Sequence, residues 1–119
     1  MSDTWLKTSL QLSQIERAIK EELLETQAAK LSVSAIYVLN ALYREDGQRP
    51  MDLAKAIGAA ATSFTPLLDK LESAKLVRRN ANKDDRRSVL VYLTVAGKEL
   101  EKPIENAIYK AEIKIRKSS

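Results

Sequence analysis

Between Ala61 and Thr94 the chain reads ATSFTPLLDKLESAKLVRRNANKDDRRSVLVYLT, and few folds accommodate that succession. Phe64, Leu67, Leu68 and Leu71 recur at the spacing that places them on one side of a helix, expected over 62–75. A basic strand follows, Leu76-Val77-Arg78-Arg79, then a polar turn from Asn80 to Arg87. Val89 to Leu93, β-branched and aliphatic, reads as a second strand. A helix followed at once by a basic hairpin is the layout of a winged helix-turn-helix. In that layout the helix can enter the DNA major groove while the hairpin tip, here 80–88, reaches the flanking minor groove.

The charge distribution agrees. The chain carries 20 Lys and Arg against 16 Asp and Glu, a formal net charge of +4. Between Lys75 and Arg87 alone there are six basic residues (Lys75, Arg78, Arg79, Lys83, Arg86, Arg87) and two acidic ones, Asp84 and Asp85. The segment therefore holds as much excess charge as the whole chain, whereas Met1–Tyr43 has four basic residues against five acidic. A solvated surface explains a basic total; concentration in one hairpin points to phosphates.

The flanks read as helices. Leu12, Ile15, Ile19 and Leu23 form a stripe in a first helix expected from Ser2 or Asp3 to about Lys30, with Trp5 and Leu6 as a bulky apolar start. A narrow terminal stripe of this kind suits a partner helix, while Leu23 and Leu24 can equally pack within the chain. Ser32 or Ser34 can cap a second helix whose Ile36, Val38, Leu39, Leu42 and Tyr43 supply the central core, ended by Asp46-Gly47. Pro50 to Gly58 reads as a short helix with Leu53, Ala54 and Ile57 inward and Ala59-Ala60-Ala61 as its connector. With Ser63 as N-cap, Pro66 would fall in a first turn that has no use for its amide. Thr94 caps a final helix carrying Leu100, Ile104, Ile108, Ala111 and Ile115, kinked or split near Lys102 by Pro103.

The expected fold is thus mainly α with a small β-hairpin wing, an α+β chain of one domain over 1–119. It comprises a winged helix-turn-helix lobe over 31–94 flanked by an N-terminal helix (1–30) and a C-terminal helix (95–119), both serving dimerisation. Leu12, Ile15, Ile19, Leu100, Ile104, Ile108 and Ile115 are the expected dimer contacts.

With no cysteine and no histidine, Cys/His zinc sites, thiol sensing and Cys- or His-based catalysis are excluded. No convergent carboxylate pair or Gly-rich phosphate loop replaces them, so neither catalytic nor metal residues are assigned and no cofactor is expected. The early acidic residue and the missing apolar run argue against a signal peptide, and no stretch approaches a membrane span. A cytoplasmic protein is expected, with no membrane partner.

Thr62, Ser63 and Thr65 can contact phosphates, base edges and thymine methyls, or serve capping and local turn bonds. Lys70 meets the DNA backbone or stands in water. On the wing, Asp85 can hold the Arg87 guanidinium in a fixed direction for the minor groove, or the pair is an ordinary surface ion pair. Arg78 and Arg79 touch phosphates or pair with acidic neighbours, and Lys83 and Arg86 complete the basic tip.

The run LVRRNANKDDRRSVLVYLTVAGKEL (Leu76–Leu100) resembles the wing and following helix of the MarR family, whose DxRxxxLxLTxxG pattern is carried by Asp85, Arg87, Val91, Leu93, Thr94 and Gly97, with Val91 in place of the first Leu. FTPLLDKLE is similar to the groove-facing helix of the organic-hydroperoxide (OhrR-like) branch, including its proline, although the cysteine of that branch is absent. The resemblance extends over roughly Leu31 to Leu100. It implies a homodimeric, sequence-specific regulator, usually a repressor, on a pseudo-palindromic operator in double-stranded DNA. It also implies release by an effector such as a small aromatic ligand. The competing reading is a winged-helix interaction module whose basic wing meets an acidic protein.

Overall fold

The computed structural model describes residues 3–85 and 88–118; within these, the side chains of residues 3–9, 11, 12 and 118 lie outside the description. The chain divides into two compact units, Met1–Val33 with Lys102–Ser119, and Ser34–Glu101.

In the first unit, α1 (Asp3–Glu22) ends eight residues before the expected Lys30. The cause is Thr26. Its hydroxyl donates to the Leu23 carbonyl at 2.8 Å and accepts from the Ala28 amide at 3.1 Å, capping a 3-10 helix over Gln27–Lys30. A side chain that bonds its own backbone in this way competes with helix continuation. The Lys20 ammonium closes the break by donating to the carbonyls of Ala29 and Leu31. Here α6 (Glu101–Ser118) contributes Lys110 and Lys114, at 3.6 and 3.5 Å from Glu22 and Glu21 of α1.

In the second unit α2 (Val33–Arg44) buries Ala35, Ile36, Val38, Leu39 and Leu42, as its spacing requires. Next, α3 (Pro50–Ile57) starts on its proline, whose absent amide has no intrahelical use, and stops at Gly58 with φ 70°. The Gly58 and Ala59 amides return to Lys55 and Ala54, the paired bonds of a Schellman C-cap. After it comes α4 (Ala61–Ser73), then β1 (Val77–Ala81) and β2 (Val89–Leu93), antiparallel with Val77 opposite Leu93 and Ala81 opposite Val89. Thr94 caps α5 (Val95–Glu99) by accepting from the Gly97 amide at 3.0 Å. The break expected near Lys102 falls at Leu100, which places Pro103 third in α6, where its lost amide costs no helical bond. The unit boundary after Glu101 groups α5 with the lobe, seven residues beyond the expected limit at Thr94.

One expectation for α4 is corrected. Its N-cap is Ala60, not Ser63, because the amides of Ser63 and Phe64 already return to the Ala60 carbonyl. Pro66 is therefore the sixth residue of the helix and lies inside it, where it removes the amide that would pair with the Thr62 carbonyl.

Candidate nucleic-acid interface

Two faces of α4 differ sharply. Phe64, Leu68 and Leu71 are buried and Leu67 is half-buried, anchoring the helix. Thr62, Ser63, Thr65, Asp69 and Lys70 are all exposed. The Ser63 hydroxyl leans back to the Ala60 carbonyl at 3.4 Å, a local turn bond, while Thr62 and Thr65 are exposed on the first two turns. Such a polar strip beyond a short preceding helix is what a groove-reading helix presents.

The end of α4 directs the wing. The amides of Lys75 and Leu76 return to Glu72 and Leu71, a second Schellman cap, with Lys75 in the left-handed region at φ 62° where glycine is usual. Thr94 binds both sides of this turn, its hydroxyl donating to the Lys75 carbonyl at 2.7 Å and its amide to Leu76 at 3.0 Å.

On the hairpin the two arginines of β1 part company, as neighbours in a strand must. The Arg78 guanidinium lies 5.3 Å from the centre of the Tyr92 ring, a cation–π arrangement. The ring in turn covers Gly47, where a Cβ would come within 2.8 Å of Tyr92 Cε1. Arg79 instead turns to α4. Its Nη2 is 2.7 Å from both Asp69 Oδ1 and Glu72 Oε1, and its own amide donates to Glu72 Oε2 at 3.3 Å. The hydrogen bond from Arg79 holds the Glu72 carboxyl below its ordinary range, and the same bonds, Glu72 first and Asp69 second, push the guanidinium up. The acidic neighbours expected as one kind of partner for Arg79 are thus Glu72 and Asp69.

Lys83 is exposed beside a tight tip, where the Asp84 amide donates to Asn82 Oδ1 and Ser88 returns to the Asp85 carbonyl through amide and hydroxyl. Arg86 and Arg87 lie outside the described residues, and with them the expected Asp85–Arg87 pair.

Polar groups whose bonds hydrophobic periodicity does not register also position the site. Gln48 pairs with Val91 in an isolated antiparallel bridge, giving the wing a third line of backbone bonds. Its side-chain amide donates to the carbonyls of Ala41 and Glu45, closing the end of α2. Asp46 accepts from the Leu93 amide at 2.8 Å, and the Tyr43 hydroxyl donates to the Gly97 carbonyl at 2.6 Å. The Asp46-Gly47 pair was legible as a helix end; its second task at the sheet edge was not.

Of the expected dimer residues, Ile19, Leu100, Ile104 and Ile108 are buried within the single chain. Ile15 and Ile115 are half-buried, and the side chain of Leu12 lies outside the described residues. Among the described residues no acidic, Cys or His cluster could hold a metal, and no helix is long and apolar enough to cross a membrane.

Residues 31–89 match the model of the MarR family. Over 89 residues the chain is 35% identical to the uncharacterized HTH-type transcriptional regulator YfiV of Bacillus subtilis (strain 168), an alignment covering 74% of this chain and 53% of that protein. It spans about half the length of the curated relatives it matches. A MarR transcriptional regulator from Methanosarcina mazei Go1 superposes with a TM-score of 0.82 at 23% identity, covering 99% of this chain and 84% of the other. The transcriptional repressor CouR, solved on a 23-mer DNA duplex, gives 0.76 at 22% identity over 91% and 73%.

Proposed function

The chain belongs to the MarR family across residues 31–89, and from that premise we propose that it is a homodimeric, sequence-specific DNA-binding regulator acting as a repressor. The observation that carries the reading is the two-sided character of α4. Its apolar side is buried, and its opposite side presents Thr62, Ser63, Thr65 and Lys70 next to a basic hairpin. In the proposed complex α4 occupies the major groove, and Arg78, Lys83, Arg86 and Arg87 meet phosphates and the flanking minor groove. CouR, of the same fold, binds a DNA duplex.

Dimerisation is proposed through the first unit, where Leu10 and Tyr109 are 56% and 63% exposed and Ile15, Ile113 and Ile115 are half-covered. Ile15 and Ile115 are retained from the expected set and Leu10, Tyr109 and Ile113 join them, while the fully buried Ile19 and Ile104 are left out, since a side chain without exposed surface has none to offer a second copy. A small aromatic effector that alters DNA affinity is part of the proposal.

The test is a binding titration on duplexes selected from a random-sequence pool. Tight binding to one palindromic class, falling steeply with salt as counterions are released, is expected. Failure to enrich any duplex, together with a stable complex with an acidic protein, would replace this reading with the interaction module.

A further inference from the structure

We propose that Arg79 is a positioning residue and not a phosphate ligand: with Glu72 and Asp69 it forms an ionic latch that sets how the wing stands against α4, and hence where the wing meets bound DNA. The inference rests on the DNA-binding reading above.

The geometry binds one strand residue to one helix twice over. Arg79 forks its Nη2 between Asp69 Oδ1 and Glu72 Oε1, each at 2.7 Å, with Nε also 3.2 Å from Glu72 Oε1. Its main-chain amide faces the same carboxylate for a reason of register. The amide and carbonyl of Val91, opposite Arg79, are both taken by Gln48, so the Arg79 amide points away from β2 toward the outer edge. Glu72 therefore closes an open strand edge and orients the guanidinium at once. A lysine has one charge centre and no fork, and could not serve both carboxylates in this plane.

The charges separate this role from a phosphate contact. Two carboxylates occupy Nε and Nη2 of one guanidinium, so the three-residue cluster carries a net negative charge, and a phosphate approaching the remaining Nη1 would meet both like charges beside it. The neighbouring Arg78 lies over the Tyr92 ring on the other face of the strand and, among the described residues, forms no ion pair with a carboxylate. Asp69 and Glu72 sit one turn apart near the end of α4, beyond the exposed Thr62 and Thr65. The latch thus couples the helix that enters one groove to the strand that carries the wing to the next.

The deciding variant is Asp69→Asn with Glu72→Gln, assayed on a selected duplex. Releasing Arg79 lets the wing reorient, and affinity is expected to fall about three- to five-fold, the scale of a partly exposed ion-pair network. The loss should vanish on a duplex trimmed of the flanking base pairs that the wing reaches. If Arg79 instead held a phosphate, removing its competing carboxylates would raise affinity, and Arg79→Ala would lower the log–log salt slope by about one; either result overturns the latch. Hydrogen exchange in the free protein supplies an independent measurement. The Arg79 amide should exchange faster in Glu72→Gln while the melt stays cooperative, and unchanged exchange overturns the latch. Should no duplex be enriched, the regulatory reading fails, and the exchange experiment still decides whether the latch exists.

Discussion

The carbonyl oxygen of Leu76 lies 2.2 Å from the point where a Cβ on Gly97 would stand. The close approach lets α5 seat directly on the turn between α4 and β1, with Thr94 bonded to that turn and capping α5. Gly97→Ala should force the turn and helix apart, at a cost of roughly 2–3 kcal/mol by overpacking. Chemical denaturation of the purified protein checks it; a loss below experimental error would mean that α5 shifts freely.

The same glycine accepts a hydrogen bond at its carbonyl from the Tyr43 hydroxyl. Tyr43→Phe keeps the ring and removes only the donor. A loss of about 1 kcal/mol is expected for a partly buried bond of this kind. It should appear as a drop of a few degrees in the melting temperature, with no change in DNA affinity at temperatures where the protein is folded.

Lys75 occupies a left-handed conformation at φ 62°, which a side chain with a Cβ enters at a cost of roughly 1 kcal/mol. Lys75→Gly removes that cost and adds back part of it as unfolded-chain entropy. A net gain of about 0.5 kcal/mol is expected, read as a higher denaturation midpoint with an unchanged slope. An unchanged or lower midpoint would show that the lysine side chain makes compensating contacts.

Thr65 is exposed on α4 and supports nothing in the core. Thr65→Ala should leave the melt unchanged, lower affinity for a selected duplex by several-fold, and leave binding to random duplex nearly as it was. Equal losses on both duplexes would place Thr65 on the backbone instead of a base edge.

The Glu72 carboxyl is lowered from its ordinary 4.5, first by the hydrogen bond from Arg79. A depressed acid stabilises the fold fully above its unfolded value and loses that contribution as pH falls through the lowered folded value. Wild type should therefore lose more stability than Glu72→Gln as pH drops below about 4.5, and the two melting curves should converge in acid. Arg79, raised further, stays charged throughout and adds no slope there. Parallel pH profiles for the two proteins would contradict the pairing.

Much of this was legible because it is local. The run of β-branched and aliphatic residues bounded β2 at Val89 and Leu93, Pro50 and Gly58 bracketed α3, and Thr94 was identified as a cap, all from residues within a few positions of one another. The inward set of α4 followed from its spacing. What escaped involves polar side chains reaching across the sequence or competing with a helix. Thr26 and Lys20 end α1 early through backbone bonds that apolar periodicity does not register. Ser63 looked like a cap by residue type, yet the backbone had already turned at Ala60. For Arg79 acidic neighbours were one of two expected partners, but which ones, Glu72 and Asp69 across a turn, was not legible; nor was Gln48 finding Val91 across 43 positions, since neither is encoded in a hydrophobic pattern.

The Gln48–Val91 bridge has a consequence for how the wing can change over time. Because both backbone groups of Val91 are committed to Gln48, sliding β2 by one residue would break those bonds and turn Val91 and Leu93 outward while bringing Leu90 and Tyr92 inward. The base of the hairpin is thereby indexed, and the tip beyond Asn82 and Ser88 is released from any part in setting that index. Insertions and deletions between those two residues can alter the length and charge of the tip while its platform stays in register.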